Sequence, residues 1–232
     1  GDFVHVASHD LQEPLRKVQV FGDRLLAKCE NELGDEGRVY LDRMRKSILR
    51  MDRLIKDLLT YSRVGRREQS LAQVDLNSVI DDVLCDLEVR IEDTKGEVKL
   101  DKLPSILADA TQMRQLFQNL IGNALKFHRE NVPPVVTITS KPISQPVGDQ
   151  PMRFHSIQVS DNGIGFEEQY IERIFTVFQR LHTSSRYEGT GLGLTVCRRI
   201  VERHGGTIIA KSKPDEGSTF IITLPERHLG RS

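Results

Sequence analysis

Apolar residues recur at intervals of three and four along residues 38–63, and charged residues fill most of the positions between them. This spacing is a heptad seam, which predicts a helix that buries one narrow stripe. The seam residues are Leu41, Met44, Ile48, Met51, Ile55 and Leu58. A less regular seam crosses the first segment at Leu11, Leu15, Val18, Gly22, Leu25 and Cys29.

The stretch NELGDEG at 31–37 separates the two seams, and its Gly34 and Gly37 can end one helix and begin another. The pattern therefore predicts a helical hairpin. Two narrow seams bury little surface alone, so we expect two copies to pair as a dimeric four-helix bundle. The alternative is a hairpin that packs on the C-terminal part of its own chain.

After a polar stretch at 64–73, helical and strand-like patterns are mixed. Amphipathic helices are predicted at 75–91, 109–127 and 193–206. Strands are predicted at 134–140 and 154–161, followed by a final pair in GTIIAKS and STFIITLP. Three prolines predict a hairpin loop at 141–153. The second part therefore reads as an α/β sandwich, with helices over one face of a mixed sheet.

The expected fold class is α+β, with the helical hairpin followed by the sandwich domain. The expected boundaries are 1–65 for the hairpin, 66–73 for a linker and 74–232 for the sandwich domain. Because the chain opens abruptly within a helical pattern, we expect it to be a fragment whose upstream part has been removed.

Composition narrows the function classes. Lys and Arg total 33, as do Asp and Glu, so no overall charge favours nucleic acid or an anionic membrane. The three cysteines are widely spaced and form no CxxC pair, which indicates reduced thiols of a cytoplasmic protein rather than disulfides or a metal site. No apolar run approaches the roughly 20 residues of a membrane span.

SHDLQEPLR at 8–16 places His9 and Asp10 close to a proline within a helical segment. His9 lies about 200° around the helix from seam position Leu11, so it points away from the bundle core. Pro14 has no N–H and its ring crowds the carbonyl of Asp10, which predicts a kink beside the histidine. An exposed imidazole beside a kink fits a group-transfer residue; an ordinary surface histidine is the alternative.

NLIGNALKF at 119–127 places Asn119, Asn123 and Lys126 on one face of a helix, since they are four and three residues apart. Carboxamide oxygens can ligate Mg²⁺, and lysine can contact phosphate oxygens. Asparagine is unfavourable inside a helix, so two on one face need a reason. A plain polar surface is the alternative.

SDNGIGF at 160–166 ends a strand pattern with Asp161. Gly163 and Gly165 allow a sharp turn whose backbone lies close to a ligand. A carboxylate only accepts hydrogen bonds, which suits an exocyclic amino group such as that of adenine. An ordinary Asp-Asn-Gly turn is the alternative.

GTGLGL at 189–194 opens a helix, and Gly189, Gly191 and Gly193 expose backbone N–H groups at its positive end. Such an end is a phosphate site. The spacing fits neither the P-loop nor the Rossmann fingerprint. The motif set of eukaryotic-type protein kinases is also absent.

In this order, the motifs resemble those of sensor histidine kinases. SHDLQEPLR resembles the H box, NLIGNALKF the N box, DNGIGF the first glycine box, IFTVFQRLH the F box and GTGLGL the second glycine box. The likeness covers nearly all of residues 3–225, and LQEPLR is most similar to phytochrome-like and PAS-linked kinases. The resemblance implies a dimeric phosphoacceptor hairpin joined to a gyrase-like (Bergerat) ATPase sandwich.

The resemblance also implies a role for each motif residue. His9 would be the phosphoacceptor and Asp10 the acid that draws off its proton. Asn123 would ligate Mg²⁺, while Asn119 and Lys126 would hold the metal shell and the phosphates.

Further roles follow for the nucleotide. Asp161 would bind the amino group of adenine in a pocket shaped by Gly163 and Gly165. Residues 167–188 would form a mobile lid over ATP, and its members include Phe175, Phe178 and Arg180, the last reaching the γ-phosphate. The second glycine box would contact the phosphates as the lid closes; its residues are Gly189, Thr190, Gly191, Leu192 and Gly193.

Glu13 raises an alternative to Asp10. On a helix, residue i+4 shares a face with residue i and residue i+1 does not, so Glu13 is better placed beside His9. The resemblance favours Asp10 as the base, and the choice stays open. Many relatives carry Thr or Asn at the position of Glu13 and use it for dephosphorylation, so phosphatase activity also stays open.

The predicted function is autophosphorylation of His9 from Mg-ATP, followed by transfer to an aspartate of a response-regulator receiver domain that docks around Arg16 to Arg24. The other implied partners are a second copy of the chain and an upstream sensor domain. Contact with nucleic acid, or of this fragment with a membrane, is not expected. Whether the phosphoryl group moves within a protomer or across the dimer stays open.

Two other functions compete with this prediction. One is a non-catalytic dimeric scaffold, which the complete N and glycine boxes disfavour. The other is a Bergerat-fold ATPase that hydrolyses ATP for conformational work. Those ATPases usually carry a glutamate at the position of Asn119, and its absence favours phosphotransfer.

Overall fold

The computed structural model describes residues 2–29, 33–64, 70–147, 150–179, 181 and 189–227, with the side chains of residues 2–11, 63, 64, 147 and 150 outside the description. The chain divides into two compact units, Gly1–Arg66 and Arg67–Ser232.

The first unit is a helical hairpin of α1 (Asp2–Cys29) and α2 (Gly34–Val64). Gly34 has a φ of 58° and starts α2, as its freedom in the left-handed region allows. Gly37 lies inside α2, so its prediction as a helix boundary is wrong. Pro14 lies inside α1, which continues through it; the kink stays a prediction.

The heptad seam of α2 is only half covered within one hairpin. Leu41 and Ile48 are 7% and 6% exposed, whereas Met44 and Met51 are 51% and 43% exposed. The remaining open seam residues are Val18, Leu25 and Leu58. Alternate seam positions therefore face the other helix of the same hairpin, and the remaining positions form an apolar stripe on the outside of the hairpin.

The second unit contains a mixed five-stranded sheet in the order β2–β4–β5–β7–β6. Its strands are β2 (Glu97–Leu100), β4 (Val135–Val147), β5 (Gln150–Asp161), β6 (Thr207–Lys213) and β7 (Gly217–Pro225). β2 pairs parallel with β4, and the other pairs are antiparallel. The predicted mixed sheet and final strand pair are confirmed.

The predicted loop at 141–153 is wrong, because most of it belongs to the long antiparallel pair of β4 and β5. Pro142 lies opposite His155, and Pro146 opposite Pro151. β2 pairs with β4 only as far as Ile138, so beyond that residue β4 has one described neighbour. A strand with one free edge tolerates proline, because the missing N–H can lie on that edge.

Three helices complete the domain: α3 (Leu76–Thr94), α4 (Ala110–Lys126) and α5 (Gly193–Arg203). α4 and α5 contact the sheet and bury their apolar faces with its inward residues. The fully buried core includes Phe117, Leu120, Ile121, Ile138, Ile157, Ile200 and Ile222. A separate two-stranded sheet joins β1 (Ala72–Asp75) to β3 (Ser105–Ala108), and neither of these strands nor β2 is evident from periodicity.

The start of α4 is a variation on a capping box. The Asp109 carboxylate accepts the Gln112 backbone N–H at 3.1 Å, and the Gln112 amide donates back to that carboxylate at 3.2 Å. The Asp109 backbone N–H instead donates to Nε2 of buried His204, 3.1 Å away. Nδ1 of His204 therefore carries the proton and donates to the Ile200 carbonyl, which joins the end of α5 to the start of α4.

Candidate nucleotide and phosphoacceptor site

Asp161 ends β5 and is partly buried. Its Oδ1 accepts the backbone N–H of Gly163 at 2.8 Å and that of Ser218 at 3.2 Å. Burial raises the pKa of Asp161 to about 6, although both hydrogen bonds work against the rise. Because both bonds go to Oδ1, Oδ2 remains available to accept a hydrogen bond from a ligand amino group.

Gly163 and Gly165 are required by the protein's own backbone. A Cβ on Gly163 would lie 2.4 Å from the Phe127 carbonyl oxygen, and one on Gly165, whose φ is 58°, would lie 2.0 Å from the Lys213 carbonyl oxygen. From the sequence we expected these two glycines to let the backbone lie close to a ligand. In the structure the close approach is made by the chain end of α4 and the end of β6.

Asn162 and Ser218 were missed by the sequence analysis. Asn162 Oδ1 accepts the Val135 N–H at 2.8 Å and its amide donates to the Pro133 carbonyl at 3.1 Å, which fixes the loop after α4. Ser218 orients the carboxylate of Asp161 through its backbone N–H, and a backbone donor leaves no signal in residue type. The sequence analysis gave Asn162 no role beyond membership of an Asp-Asn-Gly turn.

The N-box face of α4 lies against the second glycine box. The Asn119 amide donates to the Gly193 carbonyl at 3.3 Å, and a Cβ on Gly189 would lie 2.9 Å from Lys126 Nζ. Lys126 Nζ is also 4.5 Å from the centroid of the Phe127 ring. Residues that are 74 and 63 positions apart in sequence thus form one polar surface, with a cation at one end and carboxamides along it.

Asn123 lies on the same face of α4, between Asn119 and Lys126. Its side chain is partly buried and makes no hydrogen bond within the described part of the chain. No group of three or more His, Cys, Asp or Glu side chains suits a metal among the described residues. A divalent cation at this surface would therefore rely on the Asn123 carboxamide and on oxygens of the bound ligand, a donor set that Mg²⁺ accepts.

The start of α5 suits an anion. Its N-cap residue Leu192 makes no side-chain capping bond, so the first backbone N–H groups of the helix are not satisfied by a side chain. The Leu192 side chain itself is fully buried, so only its backbone can contact a ligand. Thr190 Oγ1 accepts the Leu192 N–H at 3.4 Å, and Gly191 has a φ of 77°.

The two phenylalanines of the F box differ in exposure. Phe175 is 3% exposed, whereas Phe178 is 56% exposed and has a φ of 62°. Arg180 and residues 182–188, which belong to the last part of the predicted lid, lie outside the described part of the chain.

The phosphoacceptor candidates lie within α1. His9 and Asp10 belong to this helix, and their side chains are outside the description. The Glu13 carboxylate pairs with Lys17 Nζ at 2.7 Å, one turn further along the helix. Part of the charge of Glu13 is therefore neutralised by its own helix.

Family comparisons assign both units. The family "His Kinase A (phospho-acceptor) domain" matches residues 1–67, and "Histidine kinase-, DNA gyrase B-, and HSP90-like ATPase" matches residues 108–228. The chain belongs to the sensor histidine kinases. Its second unit is the ATP-binding domain of that family, and the expected fold class is confirmed.

Individual relatives agree with this assignment. The chain is 38% identical over 223 residues to the phytochrome-like protein Cph1 of Synechocystis sp., a match that covers 96% of this chain and 29% of that protein. It is 33% identical to the adaptive-response sensory kinase SasA of Prochlorococcus marinus, over 96% of this chain and 58% of SasA. The chain thus spans less than a third of the length of Cph1. The expected likeness to phytochrome-like kinases is confirmed.

A solved structure is similar over almost the whole length. Full-length ShkA in complex with AMPPNP aligns with a TM-score of 0.70 at 26% identity, over 99% of this chain and 47% of that chain. Among the described helices of our protein, none is both long and apolar enough to cross a membrane.

Proposed function

We propose that this kinase core autophosphorylates His9 from Mg-ATP and passes the phosphoryl group to an aspartate of a response regulator. The observation that carries the proposal is the convergence of α4 and the second glycine box, where Asn119 contacts Gly193 and Lys126 lies beside Gly189. A helix N-terminus without a side-chain cap and a nearby lysine form a surface for a triphosphate.

Adenine recognition belongs to Asp161 in this proposal. Oδ2 accepts the exocyclic amino group, while the two backbone bonds hold the carboxylate in place through Oδ1. The roles of Gly163 and Gly165 are to let the chain pack tightly around this carboxylate, so they shape the pocket without contacting the base. Phe178 is proposed to cover the nucleotide as part of the lid, and Arg180 to reach the γ-phosphate.

Phosphoryl transfer would follow from these contacts. A ring nitrogen of neutral His9 attacks the γ-phosphorus, the bond from that phosphorus to the bridging oxygen breaks, and ADP leaves. The imidazole proton passes to Asp10, which acts as the base. Mg²⁺, held by Asn123, would offset charge on the phosphates, and Lys126 and the backbone of Gly189–Gly193 would do the same from the protein side.

The partners are part of the proposal. The open stripe of α1 and α2 would pair with a second copy, and a receiver domain would dock around Arg16 to Arg24. The division into a hairpin at 1–65, a linker at 66–73 and a nucleotide domain at 74–232 follows the same proposal. The proposed partners also include an upstream sensor domain.

The test uses γ-labelled ATP with Mg²⁺ and measures label on the protein. Wild type and His5→Gln, a matched change four residues earlier on α1, should both become labelled, and His9→Gln should not. Label on His9→Gln equal to wild type would contradict the proposal. Chelation of Mg²⁺ should abolish labelling in wild type, and Asn123→Ala should raise the Mg²⁺ concentration needed for it.

A further inference from the structure

Helix α5 holds the preceding segment, residues 172–179, with two side chains. Thr195 Oγ1 donates to the Phe175 carbonyl at 3.1 Å in a buried position. The Arg198 guanidinium carbon lies 4.5 Å from the centroid of the Phe175 ring, and its Nη2 is 3.2 Å from Glu172 Oε2. Both the backbone and the ring of Phe175 are therefore fixed from α5.

The two contacts of Arg198 differ in their exposure to water. The Glu172 side chain is 81% exposed, so its ion pair with Arg198 is screened by water. The Phe175 ring is buried and meets Phe220 edge-on at a centroid distance of 6.4 Å. Arg198 thus closes one side of a ring whose other side is held by the sheet, in a cation–π arrangement.

The same segment ends against the second glycine box. A Cβ on Gly191 would lie 2.8 Å from the Gln179 carbonyl oxygen and 3.0 Å from the Phe178 carbonyl carbon. Gly191 adopts its φ of 77° in this contact. The backbone of residues 178–179 therefore fixes the position of Gly191. Because these residues come soon after Phe175 in the chain, their own position depends on how Phe175 is held.

We propose that Arg198 is a positioning residue for the phosphate-binding backbone. The contact of Arg198 with the Phe175 ring keeps residues 178–179 against Gly191. The N–H groups of the glycine stretch therefore stay directed at the triphosphate. Arg198 acts through Phe175 and makes no contact with the nucleotide itself. This inference rests on the proposed function, because it requires the glycine stretch to bind phosphate.

The test compares an ATP analogue with adenosine, which lacks phosphates. Arg198→Ala should weaken binding of the analogue roughly fivefold, the scale of one cation–π contact with an exposed ion pair, and leave adenosine binding unchanged. Arg198→Lys keeps a cation near the ring and should recover part of the loss. The control is Arg114→Ala, which removes an interhelical pair with Asp86 at 2.6 Å elsewhere in the domain and should change neither ligand.

A second experiment isolates the Phe175 contact. In a double-mutant cycle, Phe175→Leu and Arg198→Ala should lose less affinity together than the sum of their separate losses. Additive losses, an Arg198→Ala variant that binds the analogue like wild type, or equal losses for the analogue and adenosine would each overturn the proposal. A wild-type protein that binds no ATP would instead contradict the proposed function on which this inference rests.

Discussion

Asn119 donates to the carbonyl oxygen of Gly193 across a gap of 3.3 Å, which joins the middle of α4 to the first residue of α5. The bond couples two motifs that lie 74 residues apart in sequence. It orients the Asn119 carboxamide and holds the start of α5 against the helix face that also carries Asn123 and Lys126. The surface that would bind the triphosphate depends on this contact.

Replacing the Asn119 amide by a carboxylate should damage this surface. In Asn119→Asp, an acceptor would face the Gly193 carbonyl and a negative charge would lie near the phosphates. We expect ATP affinity to fall roughly tenfold or more, measured by calorimetry. The same charge change at exposed Gln118, one residue earlier, should have little effect. Equal losses in the two variants would show that the contact with Gly193 is unimportant.

Asp161→Asn should abolish ATP binding, because an amide in that place can present its donor group to the adenine amino group. The same substitution should stabilise the protein at neutral pH. The folded-state pKa is raised from 3.8 to about 6, so the charged form is disfavoured by folding. Its removal should add about 1–2 kcal/mol to the free energy of unfolding at pH 8. Wild-type ATP affinity in this variant would refute the adenine role.

The pH dependence of Asp161 follows with a defined sign. Between pH 4 and pH 6 the folded state holds more protons than the unfolded state, so this group lowers stability as the pH rises through that window. ATP affinity should move in the opposite direction and fall as the pH drops below about 6, because a protonated carboxyl loses acceptor strength. Denaturant titrations of wild type and Asp161→Asn should therefore converge at pH 4.

The glycines of one domain should respond to alanine in opposite ways. Gly165→Ala forces a Cβ toward the Lys213 carbonyl oxygen at a positive φ, which should cost more than about 3 kcal/mol of unfolding free energy. Gly122→Ala, within α4, has its nearest contact 3.8 Å away at Arg90 and should gain about 0.5–1 kcal/mol. Thermal unfolding measures both, and a tolerated Gly165→Ala would contradict the tight packing around Asp161.

The helix face of the N box shows how much of the site the sequence could predict. The three-and-four spacing of Asn119, Asn123 and Lys126 placed them correctly on one face, because helix geometry is local. Gly193, which contacts that face, lies 74 residues further along the chain, and no local rule predicts the contact. Gly163 was found from its pattern, but its neighbour Phe127 could only be known from the fold.

The sheet shows a similar limit. Alternation identified the cores of β4 and β5, whereas the prolines of 141–153 suggested a loop. Proline has no N–H to donate to a neighbouring strand, so it argues against a paired strand. The sequence does not show that β4 has a free edge beyond Ile138, where proline is tolerated. The short strands β1, β2 and β3 have four residues each, which is too few for a periodic signal.

The open apolar stripe of the hairpin should control pairing of two copies. Met51→Glu places a charge within the proposed four-helix core and should weaken the dimer by at least tenfold. Val89→Glu is the matched control, since Val89 is 70% exposed on α3 and outside the hairpin. Analytical ultracentrifugation over a range of concentrations distinguishes the two. A monomeric wild type, or a Met51→Glu dimer as stable as that of wild type, would contradict pairing through this stripe.

The most direct test of the account is the chemistry of the phosphorylated protein. After a pulse of γ-labelled ATP and Mg²⁺, label on a histidine nitrogen survives base and is lost in acid, and peptide mapping should place it on the peptide that contains His9. This result would establish the histidine kinase activity. Label that survives acid, or ATP bound without any transfer to the protein, would contradict it.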